Sequence, residues 1–140
     1  MLSERPRLIY YFLLLSAVLM LTNTLKTSYH EARPFWDNPN IQDLAGCSTQ
    51  FGNPSGHSLT SFAFALAVWL DYNNCSEKFE ASGSVLGKLW MRIIMLVLAV
   101  AFSVSVAYSR FVLGMHSMNQ LLFGMLLGIW LAFSFHFIGY

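Results

Sequence analysis

The chain has 140 residues, of which 56% are hydrophobic and 11% charged, with a formal charge of +1. A soluble domain carries about 25% charged residues, so an ordinary water-soluble fold is excluded. The eight Lys and Arg form no run, which excludes a nucleic-acid partner or a polybasic lipid patch. The first apolar block lacks a small-residue cleavage site at its end and so reads as a membrane span, not a removed leader.

A helix crossing the hydrocarbon needs about 20 mainly apolar residues. Four segments come near this in chain order: Leu8–Leu25, Gly56–Tyr72, Leu89–Tyr108 and Met115–Tyr140. The predicted fold is therefore all-α, a single integral membrane bundle over residues 1–140 with about four transmembrane helices. Between the first two spans lies Lys26–Ser55, rich in Pro, Asn and Gly, which predicts a long, ordered, irregular loop. Asp71–Lys88 reads as a plain polar linker. Gly124, Gly128 and Ala132 recur every fourth residue in the last span, a small-residue stripe suited to close bundle packing.

Counting crossings puts the N-terminus, 71–88 and the C-terminus on one face, and 26–55 with the turn near 109–115 on the other. Arg5, Arg7, Lys78, Lys88 and Arg92 lie on the first face, Lys26, Arg33 and Arg110 on the second. The positive-inside rule places the first face in the cytosol and the second in a lumen or outside the cell, for a protein of an endomembrane or the plasma membrane. Cys47 and Cys75 then lie on opposite faces and cannot pair. Asn74-Cys75-Ser76, an N-x-S pattern, is predicted to stay free of glycan.

Three strings converge on the second face: Lys26 to Arg33-Pro34, Pro54-Ser55-Gly56-His57, and Ser109-Arg110 to His116 and Gln120. Arg forks onto phosphate oxygens, Lys adds a point charge, and amides at a helix start favour an anion. Together they describe a phosphate pocket. His30, inside the first string, and His136, alone within the last span, read as structural. No Cys or His cluster has metal-ligand spacing.

With these residues in place, the chain resembles the phosphatidic acid phosphatase type 2 / haloperoxidase superfamily, whose signature is K-x6-R-P, P-S-G-H and S-R-x5-H-x3-D. The resemblance implies a phosphohydrolase needing no metal or cofactor. His116 would be the nucleophile and His57 the acid and base. Lys26, Arg33, Arg110, Ser55 and Gly56 would hold the phosphate. The text CSTQFGNPSGH also resembles the glucose-6-phosphatase branch. Substrate candidates are thus a phosphorylated lipid or a small phosphomonoester, with membrane lipids and other membrane proteins as neighbours.

Two departures stand out. Gln120 replaces the signature Asp, so the orienting partner of His116 is neutral, and Gln120→Asp is expected to raise turnover or shift its pH profile. The family's membrane members usually have six spans. The chain is therefore expected to be a compact variant, or a piece that begins after the first two helices. A non-catalytic membrane subunit is the alternative from another class.

Overall fold

The computed structural model describes residues 4–42, 49–79 and 85–139, and they fold as four long helices and one short one. In order these are α1 (Glu4–Tyr29), α2 (Pro34–Asp37), α3 (Gly56–Phe79), α4 (Val85–Val112) and α5 (Met118–Gly139). The all-α prediction holds. α1 contains no Gly, and its one Pro, Pro6, lies in the first turn, where a missing N–H costs nothing. It stops at His30, whose φ of 47° is left-handed and whose N–H reaches Lys26 O at 3.2 Å. His30 is thus a helix stop, its ring edge-on to Phe51. α4 stops in the same manner at Gly114, φ +70°, where a Cβ would sit 2.9 Å from the Ile41 side chain.

α1 and α4 run toward one end of the bundle, while α3 and α5 start there and run away from it. At the far end Arg7 of α1 pairs with Asp71 of α3 at 3.6 Å, and Tyr11 donates to the same carboxylate at 3.3 Å. Arg7 also reaches the Cys75 thiol. Asp71–Phe79 is therefore not the polar linker read from the sequence. It is the last two turns of α3, and its Asp71 and Cys75 find partners on α1. Cys47 lies outside the described residues.

α3 is the axis of the bundle. Leu59, Ala63 and Ala67 are fully buried, and α1, α4 and α5 all pack on this helix. The α3–α5 seam is the closest. A Cβ on Gly124 would meet Ser55 O at 2.6 Å, and one on Gly128 would meet Leu59 O at 2.5 Å, so the small-residue stripe lets backbone touch backbone. α4 is pinned to α3 by Ser103 Oγ donating to Ser61 O at 3.1 Å and by Trp69 Nε1 donating to Arg92 O at 3.0 Å.

Among the described residues three stretches are long and apolar enough to cross a membrane: Arg7–Asp37, Lys88–Val112 and Met118–Ile138. α3 is not among them, against the four read from the sequence, because its first and last turns are polar. Its length of 24 residues, about 36 Å, matches its neighbours, and they shield it. Phe12, Met20, Val97, Trp130 and Phe137 are among the large apolar side chains facing outward. In water such a surface would aggregate; in a bilayer it faces acyl chains.

Since lipid supplies no hydrophobic drive between helices, packing at the α3–α5 seam carries their association. Gly128→Ala should therefore destabilise the bundle by about 1–3 kcal/mol, as overpacking does. Thermal unfolding in detergent should register a lowered midpoint, with Leu126→Ala on the outer face as the near-neutral control. An unchanged midpoint for Gly128→Ala would refute the seam.

Candidate active site

At the end where α1 and α4 finish, the N-termini of α3 and α5 dock side by side. Each leaves first-turn N–H groups without helical partners. Ser117 and Gln120 meet this need for α5 as a capping box: Gln120 N–H donates to Ser117 Oγ at 3.4 Å, and Ser117 N–H donates to Gln120 Oε1 at 3.2 Å. Ser55 caps α3. Its carbonyl takes the Leu59 N–H, its hydroxyl accepts from Ser58, and its own N–H donates to Gln120 O at 3.0 Å. One residue thus joins both helix starts.

The Gln120 amide does more. Its Nε2 donates to Ala32 O at 2.8 Å and to Glu31 Oε1 at 3.0 Å. Those partners can only accept, and the Ser117 N–H can only donate, so nitrogen and oxygen of the amide are unambiguously placed. Oε1 also lies 3.3 Å from His116 Nδ1. An amide oxygen accepts, so Nδ1 carries the proton and the lone pair of a neutral ring sits on Nε2. Gly52 closes the back of this node: a Cβ there would lie 2.6 Å from both amide heteroatoms.

His116 is 4% exposed, and its pKa is lowered from 6.5 to about 4. Burial is the main cause, followed by the Arg33 guanidinium and then Lys26. Hydrogen bonds to the Gln120 side chain and the Gly52 main chain oppose them. The ring is therefore neutral at physiological pH, with a nitrogen free to attack.

His116 lines a cavity of about 1150 Å³ with Lys26, Arg33, Gly56, His57 and Arg110. Arg33, buried, is aimed by Nε donating to Gln50 O at 2.7 Å and Nη1 donating to Met115 O at 3.1 Å. Lys26 is in the last turn of α1, with Nζ donating to Gln50 Oε1 at 3.0 Å. Arg110 closes α4, and its buried Nε has no protein partner. Of the eight site residues read from the sequence, six line this cavity. Ser55 and Gln120 lie behind its wall, Ser55 as a helix cap and Gln120 as the support of His116. Among the described residues no group of three His, Cys, Asp or Glu is placed to hold a metal. His136, in the last turn of α5, does not line the cavity.

A family model described as the PAP2 superfamily matches residues 7–140. The chain belongs to the PAP2 superfamily. Comparison with curated proteins and with solved structures gives no match. Membership gives the chain a phosphatase-type activity, hydrolysis of a phosphoric ester.

Within this superfamily signature, Gln120 is the departing residue, and the geometry revises what it means. Asp has no donor for Ala32 O, and it would set a second carboxylate against Glu31. The gain in turnover expected of Gln120→Asp is withdrawn: in this chain the single substitution should be harmful. Sequence reading overlooked Gln50, which aims two cations, as well as Glu31 and Gly52. The S-x-x-Q box at Ser117–Gln120 was a legible signal for the Gln120 cap; Gln50, Glu31 and Gly52 carry no local signal, since each acts only through a contact distant in sequence.

The lowered pKa has a consequence for stability. Below 6.5 an unfolded chain protonates this histidine while the folded site refuses the proton. The site's contribution to stability is thus complete above 6.5 and drains away as pH falls toward about 4. Nitrogen-15 NMR of the detergent-solubilised protein should record His116 titrating near 4 as an Nδ1–H tautomer. A midpoint at 6.5 or above would refute the burial argument.

Proposed function

We propose that this chain is an integral membrane phosphohydrolase that removes phosphate from a lipid phosphate, through a phosphohistidine on His116. The supporting observation is the shape of the cavity. Its head holds Lys26, Arg33 and Arg110; its body runs along α3 from Gly56 to Trp69, about 20 Å. The walls of that body are Leu19 of α1, Phe64 and Val68 of α3, and Met95, Leu98 and Phe102 of α4. α1 and α4 flank it without packing on each other. A cationic head on an apolar shaft between lipid-facing helices suits an amphiphile whose phosphate is met at the interface. A sugar phosphate, the alternative reading, would find polar partners only near the head, at Thr22, Asn23, Thr60 and Ser61, and would leave the apolar length of the shaft unfilled.

In the proposed reaction His116 Nε2 attacks phosphorus in line, and the bond to the ester oxygen breaks. Burial and then Arg110, Lys26 and Arg33 lower the pKa of His57, so its acid form depends on the bound anionic phosphate offsetting those cations. That form gives its proton to the departing oxygen, then as a neutral base takes one from water. The resulting hydroxide attacks the phosphoenzyme, the P–N bond breaks, and inorganic phosphate leaves. Three cations and the start of α3 at Gly56 balance the charge on the non-bridging oxygens, which suits an enzyme better than a non-catalytic subunit. The excess of basic residues at the opposite end supports a lumenal or extracellular site; glycan found on Asn74 would invert that sidedness.

The test is phosphate release by purified protein from long-chain phosphatidate, glucose 6-phosphate and p-nitrophenyl phosphate, with His116→Ala as the blank. Phosphatidate should be preferred. Ala99→Trp, which fills the shaft, should lower kcat/KM for phosphatidate about tenfold or more while changing p-nitrophenyl phosphate by less than about threefold. Preference for glucose 6-phosphate, with no effect of Ala99→Trp on lipid, would overturn the reading.

A further inference from the structure

The Gln120 amide could have been satisfied at Nε2 by Ala32 O and one neutral acceptor, yet its second hydrogen is given to a carboxylate. Glu31 Oε1 accepts it at 3.0 Å. Glu31 is itself held: Oε2 accepts from Asn53 Nδ2 at 2.6 Å, and its main-chain oxygen accepts from Gly52 N–H at 2.8 Å. Gly52 in turn bars the amide from retreating. A continuous hydrogen-bonded line therefore runs from the Glu31 carboxylate through the Gln120 amide to His116 Nδ1, 3.3 Å beyond.

Such a line has an electrical consequence. A hydrogen bond from Nε2 to an anion pushes electron density toward Oε1 and makes that oxygen a stronger acceptor. Attack by the His116 Nε2 puts positive charge on the ring, and the Nδ1–H bond to Gln120 strengthens as it does so. A strongly polarised acceptor behind Nδ1 thus helps most when the charge develops. It also disfavours the tautomer with the proton on the attacking nitrogen.

We propose that Glu31 is a positioning residue for the nucleophile, supplying through the Gln120 amide the negative charge that the neutral residue at 120 lacks. The proposal rests on the phosphohistidine reading above. The competing view is that Glu31 merely tethers the segment around Asn53. The two differ over charge, since Glu31→Gln removes it while keeping an acceptor oxygen for Gln120 and offering an amide donor that the unpartnered Asn53 Oδ1 can accept once that amide flips, which preserves the tether.

The experiment is a charge swap between positions 31 and 120, read as kcat and KM on the best substrate, with melting midpoints to verify folding. Glu31→Gln should lower kcat about tenfold, the low end of the loss seen when the hydrogen-bond partner of a metal-bound histidine is removed, and leave KM within about threefold. Gln120→Asp should be impaired, with two carboxylates facing each other. The double variant should regain activity over Gln120→Asp alone. In it the amide introduced at position 31 can donate to the carboxylate introduced at position 120, and the charge sits directly behind His116. Glu31→Gln would thus be harmful in the native background and helpful in the Gln120→Asp background. A tether cannot produce that reversal. Wild-type turnover in Glu31→Gln, or losses that simply multiply in the double variant, would overturn the proposal. If the wild-type protein hydrolyses no phosphate ester, the functional reading has failed instead. Nitrogen-15 NMR then decides on Glu31: retention of a pure Nδ1–H tautomer at His116 in Glu31→Gln would refute its role, and a mixture of tautomers would uphold it.

Discussion

Two helix starts are driven together in this bundle, and their unpaired N–H groups must be satisfied where little water reaches. A buried orphan donor costs about 1–3 kcal/mol, so the junction cannot leave several unmet. Gln120 resolves this. Its main-chain oxygen takes the Ser55 N–H, and its side chain caps α5, holds Ala32 and Glu31, and accepts from His116. The position of the His116 ring is a by-product of an accounting that the fold has to complete anyway.

Everything around the ring depends on that node. α3 and α5 can bring their starts together only because Gly124 and Gly128 let the two backbones touch. His116 is buried by the same docking, and burial keeps it neutral among cations that would in any case disfavour its proton. Arg33 and Lys26 are both held by Gln50, through its main chain and side chain respectively. The Arg7–Asp71 pair at the far end is part-exposed and contributes about 0–1 kcal/mol, so it orients the helix end without holding the bundle together. Stability and site geometry meet at one end of α3.

The sequence makes α1, α4 and α5 legible because lipid-facing helices advertise themselves by apolar length. It gives α3 as well, as the span Gly56–Tyr72, though not its place as the buried axis, and it misleads at Asp71–Phe79, where polarity signifies a helix leaving the hydrocarbon and not a loop. The cavity-lining cations and both of its histidines are legible from their types and spacing. Ser55 is legible too, but as chemistry, whereas the fold uses its hydroxyl to cap α3 and its amide to tie that cap to Gln120. Glu31 and Gly52 are invisible because their importance lies in contacts with Gln120, far along the chain, which no local pattern encodes. Gln120 reads as a defect until those contacts are seen.

The central claim is that the Gln120 amide fixes the proton of His116 on Nδ1 and leaves Nε2 as the attacking atom. The direct measurement is the isomer of the phosphoenzyme. Protein quenched during turnover of a lipid phosphate and digested under alkaline conditions, which preserve phosphohistidine, should yield a His116 peptide carrying phosphate on Nε2, distinguishable by mass spectrometry and phosphorus NMR from the Nδ1 isomer. Phosphate on Nδ1, or on any residue other than His116, would contradict the account.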